Sequence, residues 1–149
     1  MSKKNPHTLF EDYLITQDSR YTSQKKAIAT EIFKTKGHFE VEDFIDSIRA
    51  KDKKFSRATV YRTIKQLLES NLLQKITAND GKIFYEYSIP QNHHAHVICN
   101  ICGKIQEIKG KEIDSIIQKE CKKLHFSASY QSLHIYGECQ KYTETGKIC

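Results

Sequence analysis

Residues 56–87 read SRATVYRTIKQLLESNLLQKITANDGKIFYEY. Ser56 has the side chain of a helix N-cap, an oxygen able to take a free backbone N–H of the first turn. Behind it Val60, Ile64, Leu67 and Leu68 recur at helical spacing and share one face. The opposite face carries Arg57, Ala58, Tyr61, Arg62 and Lys65. The helical pattern then gives way to two apolar runs, residues 73–76 and 83–87, around Asn79-Asp80-Gly81. That spacing and turn chemistry predict a β-hairpin.

Two further helical patterns precede this stretch. Thr22 reads as an N-cap, with Ile28, Ala29, Ile32 and Phe33 as an apolar stripe, and Gly37 ends the helix. Residues 40–49 form a second amphipathic segment with Val41, Phe44, Ile45 and Ile48 inward. Three helices followed by a two-stranded ribbon describe a winged helix-turn-helix. On the third helix, arginine can bond guanine edges bidentately, tyrosine can meet a thymine methyl or a phosphate, and lysine supplies charge. Arg20, Lys25 and Lys26, near the first of these helices, are placed to neutralise phosphate. A solvated basic face is the competing account of Tyr61, Arg62 and Lys65, and the order helix-helix-helix-hairpin favours the DNA-reading one.

Past Pro90 the chemistry changes. Residues 93–102 read HHAHVICNIC, three histidines and two cysteines in ten positions. Both residue types are first-choice ligands for transition metals. Cys99 and Cys102 can reach one ion across a tight turn, and His94 and His96 point to one side of a strand. A Cys-x-x-Cys alone is a weak signal; with the His-x-His strand beside it and Cys139 near the C-terminus it is a strong one. The sulfur-rich and nitrogen-rich halves prefer different metals. The pattern around them predicts β-β-α-β: strands at 95–99, 104–108 and 129–136, and a helix over 112–124 with Ile113, Ile116, Ile117 and Leu124 along a stripe. About 60 residues is near the lower limit for a self-sufficient core, so a structural metal and a dimer interface are expected.

The chain has 149 residues, a formal net charge of +6 and a pI near 9.0, which favours an anionic partner such as nucleic acid. No apolar run approaches the roughly 20 residues of a membrane span, and the N-terminus lacks the apolar core of a secretory signal. A cytoplasmic protein is expected, in which the five cysteines are metal ligands or buried thiols rather than disulfides.

Taken together, SRATVYRTIKQLLESNLL, YTSQKKAI, HHAHVICNICGKIQEI and LHIYGEC resemble the recognition helix, the T-x-Q-R opening, the HHDHxxCxxCGKxxEF signature and the last strand of the ferric uptake regulator family. Lys25 stands where arginine is usual. The resemblance runs over about residues 20 to 139. It implies an α+β chain: a winged-helix DNA-binding domain over 1–88, a hinge over 89–92 and an α/β dimerisation domain over 93–149. It also implies a cytoplasmic homodimer, with no membrane association, on palindromic, A/T-rich double-stranded DNA.

The same resemblance implies the sites. A regulatory divalent metal is expected on His38, Glu86, His94 and His96, with Glu107 as a fifth ligand. Fe²⁺, Mn²⁺ or Zn²⁺ suits that nitrogen/oxygen set. The gap from Glu86 to His94 is one residue longer than the commonest family pattern. Structural Zn²⁺ is expected on Cys99, Cys102 and Cys139. The family's fourth cysteine position reads Tyr142 here, so Cys149 is the candidate fourth ligand, against a frayed end and an incomplete site. Cys121 reads as a packed thiol. A further family site would need His93, an aspartate at 95, Asp114 and a histidine at 131. Here Ala95 and Gln131 replace two of the ligands, so that site is expected to be lost. His134 falls on the other strand face from Gln131.

Fe²⁺-responsive repression of iron-uptake genes is the expected function, because peroxide sensors typically have aspartate at position 86 and zinc sensors often use a hinge cysteine. Peroxide or zinc sensing remains the alternative within the family. A zinc enzyme is more remote: zinc deaminases show H-x-E with P-C-x-x-C, where this chain has H-x-H and ICNIC. A thiol redox protein would open a helix after Cys-x-x-Cys, whereas Gly103 and a second strand follow here.

Overall fold

A computed structural model describes residues 5–78, 80–88, 95–108, 111–128 and 131–146, without the side chains of Tyr142 and Thr143. The chain packs as two units. Unit 1 is Met1–Ile76 with Ile83–Ile89; unit 2 is Thr77–Lys82 with Pro90–Cys149.

Unit 1 runs α1 (Pro6–Thr16), α2 (Ser23–Lys34), β1 (His38–Glu40), α3 (Val41–Lys51), α4 (Arg57–Glu69), β2 (Leu73–Thr77) and β3 (Ile83–Tyr87). The two expected caps are present. Thr22 Oγ1 accepts from Lys25 N at 3.3 Å, and Ser56 Oγ accepts from Thr59 N at 3.1 Å. The apolar stripes of α2, α3 and α4 close on one another: Ile28, Ile32, Ile45, Ile48, Val60, Ile64 and Leu67 are buried in one core with Leu72 and Leu73. Gly81, at φ +81°, takes the left-handed conformation that lets the chain turn between β2 and β3, and its N–H donates to the Ala78 carbonyl at 3.0 Å. Asn79 lies outside the described residues.

The sequence reading is corrected here in three places. α2 ends at Lys34, with Thr35 as its C-cap, and not at Gly37. The ribbon has a third strand, in the order β1-β3-β2, with His38↔Glu86, Phe39↔Tyr85 and Glu40↔Phe84 in antiparallel register. Residues 38–40 are thus a strand, and the following helix begins at Val41 rather than Glu40. A three-residue strand is too short to display a period of two. The other addition is α1. Asn5 caps it by accepting from His7 N at 2.9 Å, and Pro6 is pre-set for the first turn. Phe10 and Leu14, one turn apart, are fully buried. Phe10 also meets the Tyr21 ring edge-on at 5.3 Å. Phe10→Ala should therefore destabilise unit 1 by about 3–5 kcal/mol in chemical denaturation, the cost of deleting a buried phenyl group.

Unit 2 contains β4 (Ala95–Cys99), β5 (Ile105–Ile108), α5 (Lys111–Lys123), β6 (Leu133–Gly137) and α6 (Gln140–Thr145). Its sheet has the order β5-β4-β6, antiparallel between β4 and β5 and parallel between β4 and β6. A parallel return needs a crossover, which α5 provides. The β-β-α-β order is as expected, but the last strand starts at Leu133 rather than 129, and α6 was not anticipated. Ile98 and Ala95 are buried on β4. By contrast α5 has no buried residue, Leu124 is 76% exposed and Phe126 is 65% exposed. Ile113, Ile117 and Cys121 of α5 are half-buried while Ile116 is exposed, so the apolar stripe read from the sequence is covered along one edge only. The segment expected to act as a hinge, 89–92, lies outside the described residues.

Candidate functional site

In unit 2 the candidate sulfur ligands are brought together by a backbone knuckle. Cys99 ends β4, and the chain turns back so that Gly103 N donates to the Cys99 carbonyl at 3.0 Å while Cys99 N donates to the Lys104 carbonyl at 3.0 Å. Gly103 sits at φ +70°, a conformation open to glycine at little cost. Cys139 follows β6, and its N–H donates to Cys99 Sγ at 3.4 Å. The sulfurs of Cys99, Cys102 and Cys139 all lie within 4.8 Å of one another. Backbone N–H groups of Cys102 and Ile101 point at Cys99 Sγ and bring that thiol down to about 6. The thiolate is the form a metal takes. Three sulfurs around a tetrahedral zinc at 2.3 Å would stand about 3.8 Å apart, so the cluster fits that ion. Cys149 lies outside the described residues, and Tyr142 falls within α6. Cys121 is half-buried on α5 and is not in this cluster.

The nitrogen and oxygen candidates are placed by two sheets. In unit 1, His38 and Glu86 face each other across β1 and β3, with Nε2 and Oε1 3.5 Å apart. Glu86 is only 4% exposed. A buried carboxylate is costly unless a cation or hydrogen-bond donors compensate it. In unit 2, His96 is fully buried on the central strand β4. Glu107 of β5 stands on one side of it in register and His134 of β6 on the other. The His96 and His134 rings are 5.5 Å apart and nearly perpendicular. Burial, then the charge of His96, pushes the His134 imidazole down from its ordinary value. Sequence reasoning set His134 aside as lying on the other strand face from Gln131; the strand begins only at Leu133, and the parallel register that brings His134 beside His96 leaves no local signature. His93 and His94 lie outside the described residues. Asp114 Oδ1 accepts from Gln131 Nε2 at 2.6 Å, so two positions of the degenerate third site are tied by a hydrogen bond, while Ala95 is buried and carries no ligand atom.

The nucleic-acid candidates gather on α4. Its inward face buries Val60, Thr63, Ile64 and Leu67, which leaves Arg57, Tyr61, Arg62 and Lys65 exposed on the outward one. Arg57 and Tyr61 both donate to the carboxylate of Glu42 on α3. Lys65 Nζ is 3.8 Å from Glu69 Oε1 one turn along. Arg20 is exposed. Lys25 is held more closely than its residue type suggested: its ammonium donates to Ser19 Oγ at 2.8 Å and to the Arg20 carbonyl at 3.1 Å. Burial, then the positive charge of Arg62, lowers the Lys25 ammonium below its ordinary value.

Comparisons with known proteins agree on one group. The model of the ferric uptake regulator family matches residues 16–136. A peroxide operon regulator of Bacillus subtilis (strain 168) is 30% identical over 122 residues, 82% of this chain and 83% of that protein. A ferric uptake regulation protein of Rhizobium leguminosarum bv. viciae is 28% identical over 127 residues, 85% of this chain and 89% of that one. Among solved structures, the ferric uptake regulator of Helicobacter pylori shares the fold with a TM-score of 0.70 at 23% identity, covering 99% of this chain and 100% of that one. The manganese-containing ferric uptake regulator of Pseudomonas aeruginosa does so with a TM-score of 0.74 at 20% identity, over 88% and 98% of the two chains.

Proposed function

This chain belongs to the ferric uptake regulator family and is a metal-responsive, DNA-binding transcriptional regulator rather than an enzyme, and from that premise we propose that it is an Fe²⁺-responsive repressor of iron-uptake genes. The observation that carries the reading is the buried Glu86 carboxylate set against His38 on one rung of a sheet. With His94 and His96, and Glu107 as a fifth ligand, these residues would hold Fe²⁺, with Mn²⁺ or Zn²⁺ able to use the same donors. An ion bound there supplies coordinate bonds to side chains from both units. The chain's own part is to present His38 and Glu86 from residues 1–88 and His94 and His96 from residues 93–149, with 89–92 as the hinge. Cys99, Cys102 and Cys139, with Cys149, would hold a structural Zn²⁺. With Asp114 bonded to Gln131 rather than to a histidine-containing set, no third metal is proposed.

The DNA-facing residues in this reading are Arg20, Lys25, Arg57, Tyr61, Arg62 and Lys65. The uncovered side chains of α5 and the segment after it, Ile116, Leu124 and Phe126, are supplied with a partner by a second copy of the chain. The two copies set paired recognition helices on a palindromic, A/T-rich operator. Among the described residues no helix is long and apolar enough to cross a membrane, and the proposed setting is the cytoplasm. Light scattering at micromolar concentration should give a dimer; a monomer there would remove the basis for a palindromic operator. Arg62→Ala should weaken operator binding by about 1–3 kcal/mol while metal content is unchanged. Unaltered affinity would move the reading face away from α4.

The direct test is DNA retention titrated with Fe²⁺, Mn²⁺ and Zn²⁺ against chelator. Tight binding with Fe²⁺ or Mn²⁺ that chelator reverses supports the reading, and a response to Zn²⁺ alone replaces it with zinc sensing. A second reading draws support from the Bacillus subtilis peroxide regulator. If hydrogen peroxide releases the Fe²⁺-loaded protein from DNA but not the Mn²⁺-loaded one, the sensed signal is peroxide.

A further inference from the structure

The pairing of α3 with α4 contains a contact that DNA reading does not explain. Glu42 lies in the first turn of α3 and is half exposed. Its Oε2 takes the Arg57 guanidinium and its Oε1 takes the Tyr61 hydroxyl, so both carboxylate oxygens are engaged. Arg57 and Tyr61 are four residues apart, one turn of the outward face of α4. Two of the side chains on that face are therefore held by an acid from the neighbouring helix. The Tyr61 hydroxyl, ahead of Arg57, draws the Glu42 carboxyl below the usual carboxylate range, and Glu42 raises the Tyr61 phenol in return. A carboxylate accepting from a guanidinium and a phenol makes charge-assisted bonds.

We propose that Glu42 is a specificity-determining residue, which withholds Arg57 from DNA phosphate in non-specific complexes and yields it only where base contacts compensate. This rests on α4 facing DNA. A phosphate approaching Arg57 also approaches the Glu42 charge a few ångströms away, well inside the Debye length of about 8 Å at physiological salt. Exchanging a carboxylate for a phosphate gives Arg57 little net gain, so in a sequence-indifferent complex the guanidinium stays on α3. A matched site adds base-edge hydrogen bonds to the exchange. Glu42 thus lowers the background of non-specific binding while leaving Arg57 and Tyr61 pre-oriented on one side of the helix.

The measurement is the salt dependence of binding to a short labelled duplex of random sequence, with the full-length dimer at one fixed Mn²⁺ concentration. Each phosphate neutralised contributes about 0.9 to the slope of log K against log salt concentration. Glu42→Gln keeps the size and much of the hydrogen bonding and removes the charge. It should bind the random duplex more tightly and with a slope steeper by about 0.9, and the steepening should vanish in the Glu42→Gln/Arg57→Gln double variant. An unchanged slope in Glu42→Gln overturns the proposal, as does a steepening that survives loss of Arg57. Lys65→Gln, which removes a sequence-indifferent charge from the same face, separates the two levels. If it flattens the slope while Glu42→Gln does nothing, the Glu42 proposal alone falls. If Lys65→Gln also leaves the slope unchanged, α4 does not face DNA and both fall. Matching thermal melts establish that each variant is folded.

Discussion

Cys102→Ser is expected to remove one zinc per chain and to leave residues 93–149 without a stable fold. The reason is the thinness of what else holds unit 2 together. Its described core is little more than Ala95, Ile98, Cys99 and His96 on one strand, and α5 buries no residue. Against that, the sulfur cluster joins the end of β4, the turn after it and the segment after β6 through three thiols within 4.8 Å. Binding to a site that exists only in the folded state is folding free energy. Structural zinc contributes on the order of 10–16 kcal/mol in isolated zinc-finger peptides, more than the whole stability of many domains. The variant should lose its zinc by metal analysis, lose dimer by light scattering and unfold at lower denaturant. Cys121→Ser, away from the cluster, should do none of these. A Cys102→Ser protein with full zinc content would end the structural assignment, and Cys149→Ser tests the fourth ligand by itself.

The second large effect belongs to the regulatory metal. His96→Ala should abolish metal-dependent DNA binding while leaving the zinc of the sulfur cluster in place, because the two ligand sets share no residue. Taking a two-state equilibrium from 1:99 to 99:1 needs about 5.5 kcal/mol of differential binding, and several coordinate bonds completed in only one state can supply it. Linkage makes a reciprocal demand: DNA must tighten metal binding by the factor by which metal tightens DNA binding. Titrating Mn²⁺ with and without a bound duplex measures that factor directly. His96 is buried, so zinc content and a thermal melt must accompany the variant. Metal-dependent binding that persists in a folded His96→Ala protein, or a metal affinity indifferent to DNA, would mean that a different site carries the response.

How much of this was legible in the chain depended on range. Ser56, Thr22 and the apolar stripes of α2, α3 and α4 announce themselves within a turn or two, and the structure places them as read. The Cys99-x-x-Cys102 knuckle is equally local. What escaped was short or distant. β1 spans three residues and exists because β3 pairs with it; its consequence, His38 opposite Glu86, is a property of the pair. α1 was missed because only Phe10 and Leu14 of its eleven residues are buried, too few to form a stripe. His134 beside His96 depends on a parallel register set by the whole crossover, and no spacing in either strand encodes it. The Glu42 contact joins residues 15 and 19 positions apart, each an ordinary surface residue when read alone.

The parallel alignment of β4 with β6 also bears on the order of events after synthesis. The helices of unit 1 pack early on close neighbours, whereas its β1–β3 pairing spans a separation as long as those of unit 2. The sheet of unit 2 must wait for a long crossover to fold back, and the knuckle gains its third sulfur across a separation of 40 residues. Pairings of that range form late because loop closure is unfavourable until the contacts it permits are made. A nascent chain is therefore expected to pass through an interval with its helices formed and the thiols of Cys99, Cys102 and Cys139 uncovered. Oxidation of an uncovered thiol beyond the sulfenic stage is essentially permanent. Vulnerability to oxidants is therefore expected to be greatest in newly made molecules, before the three thiols meet.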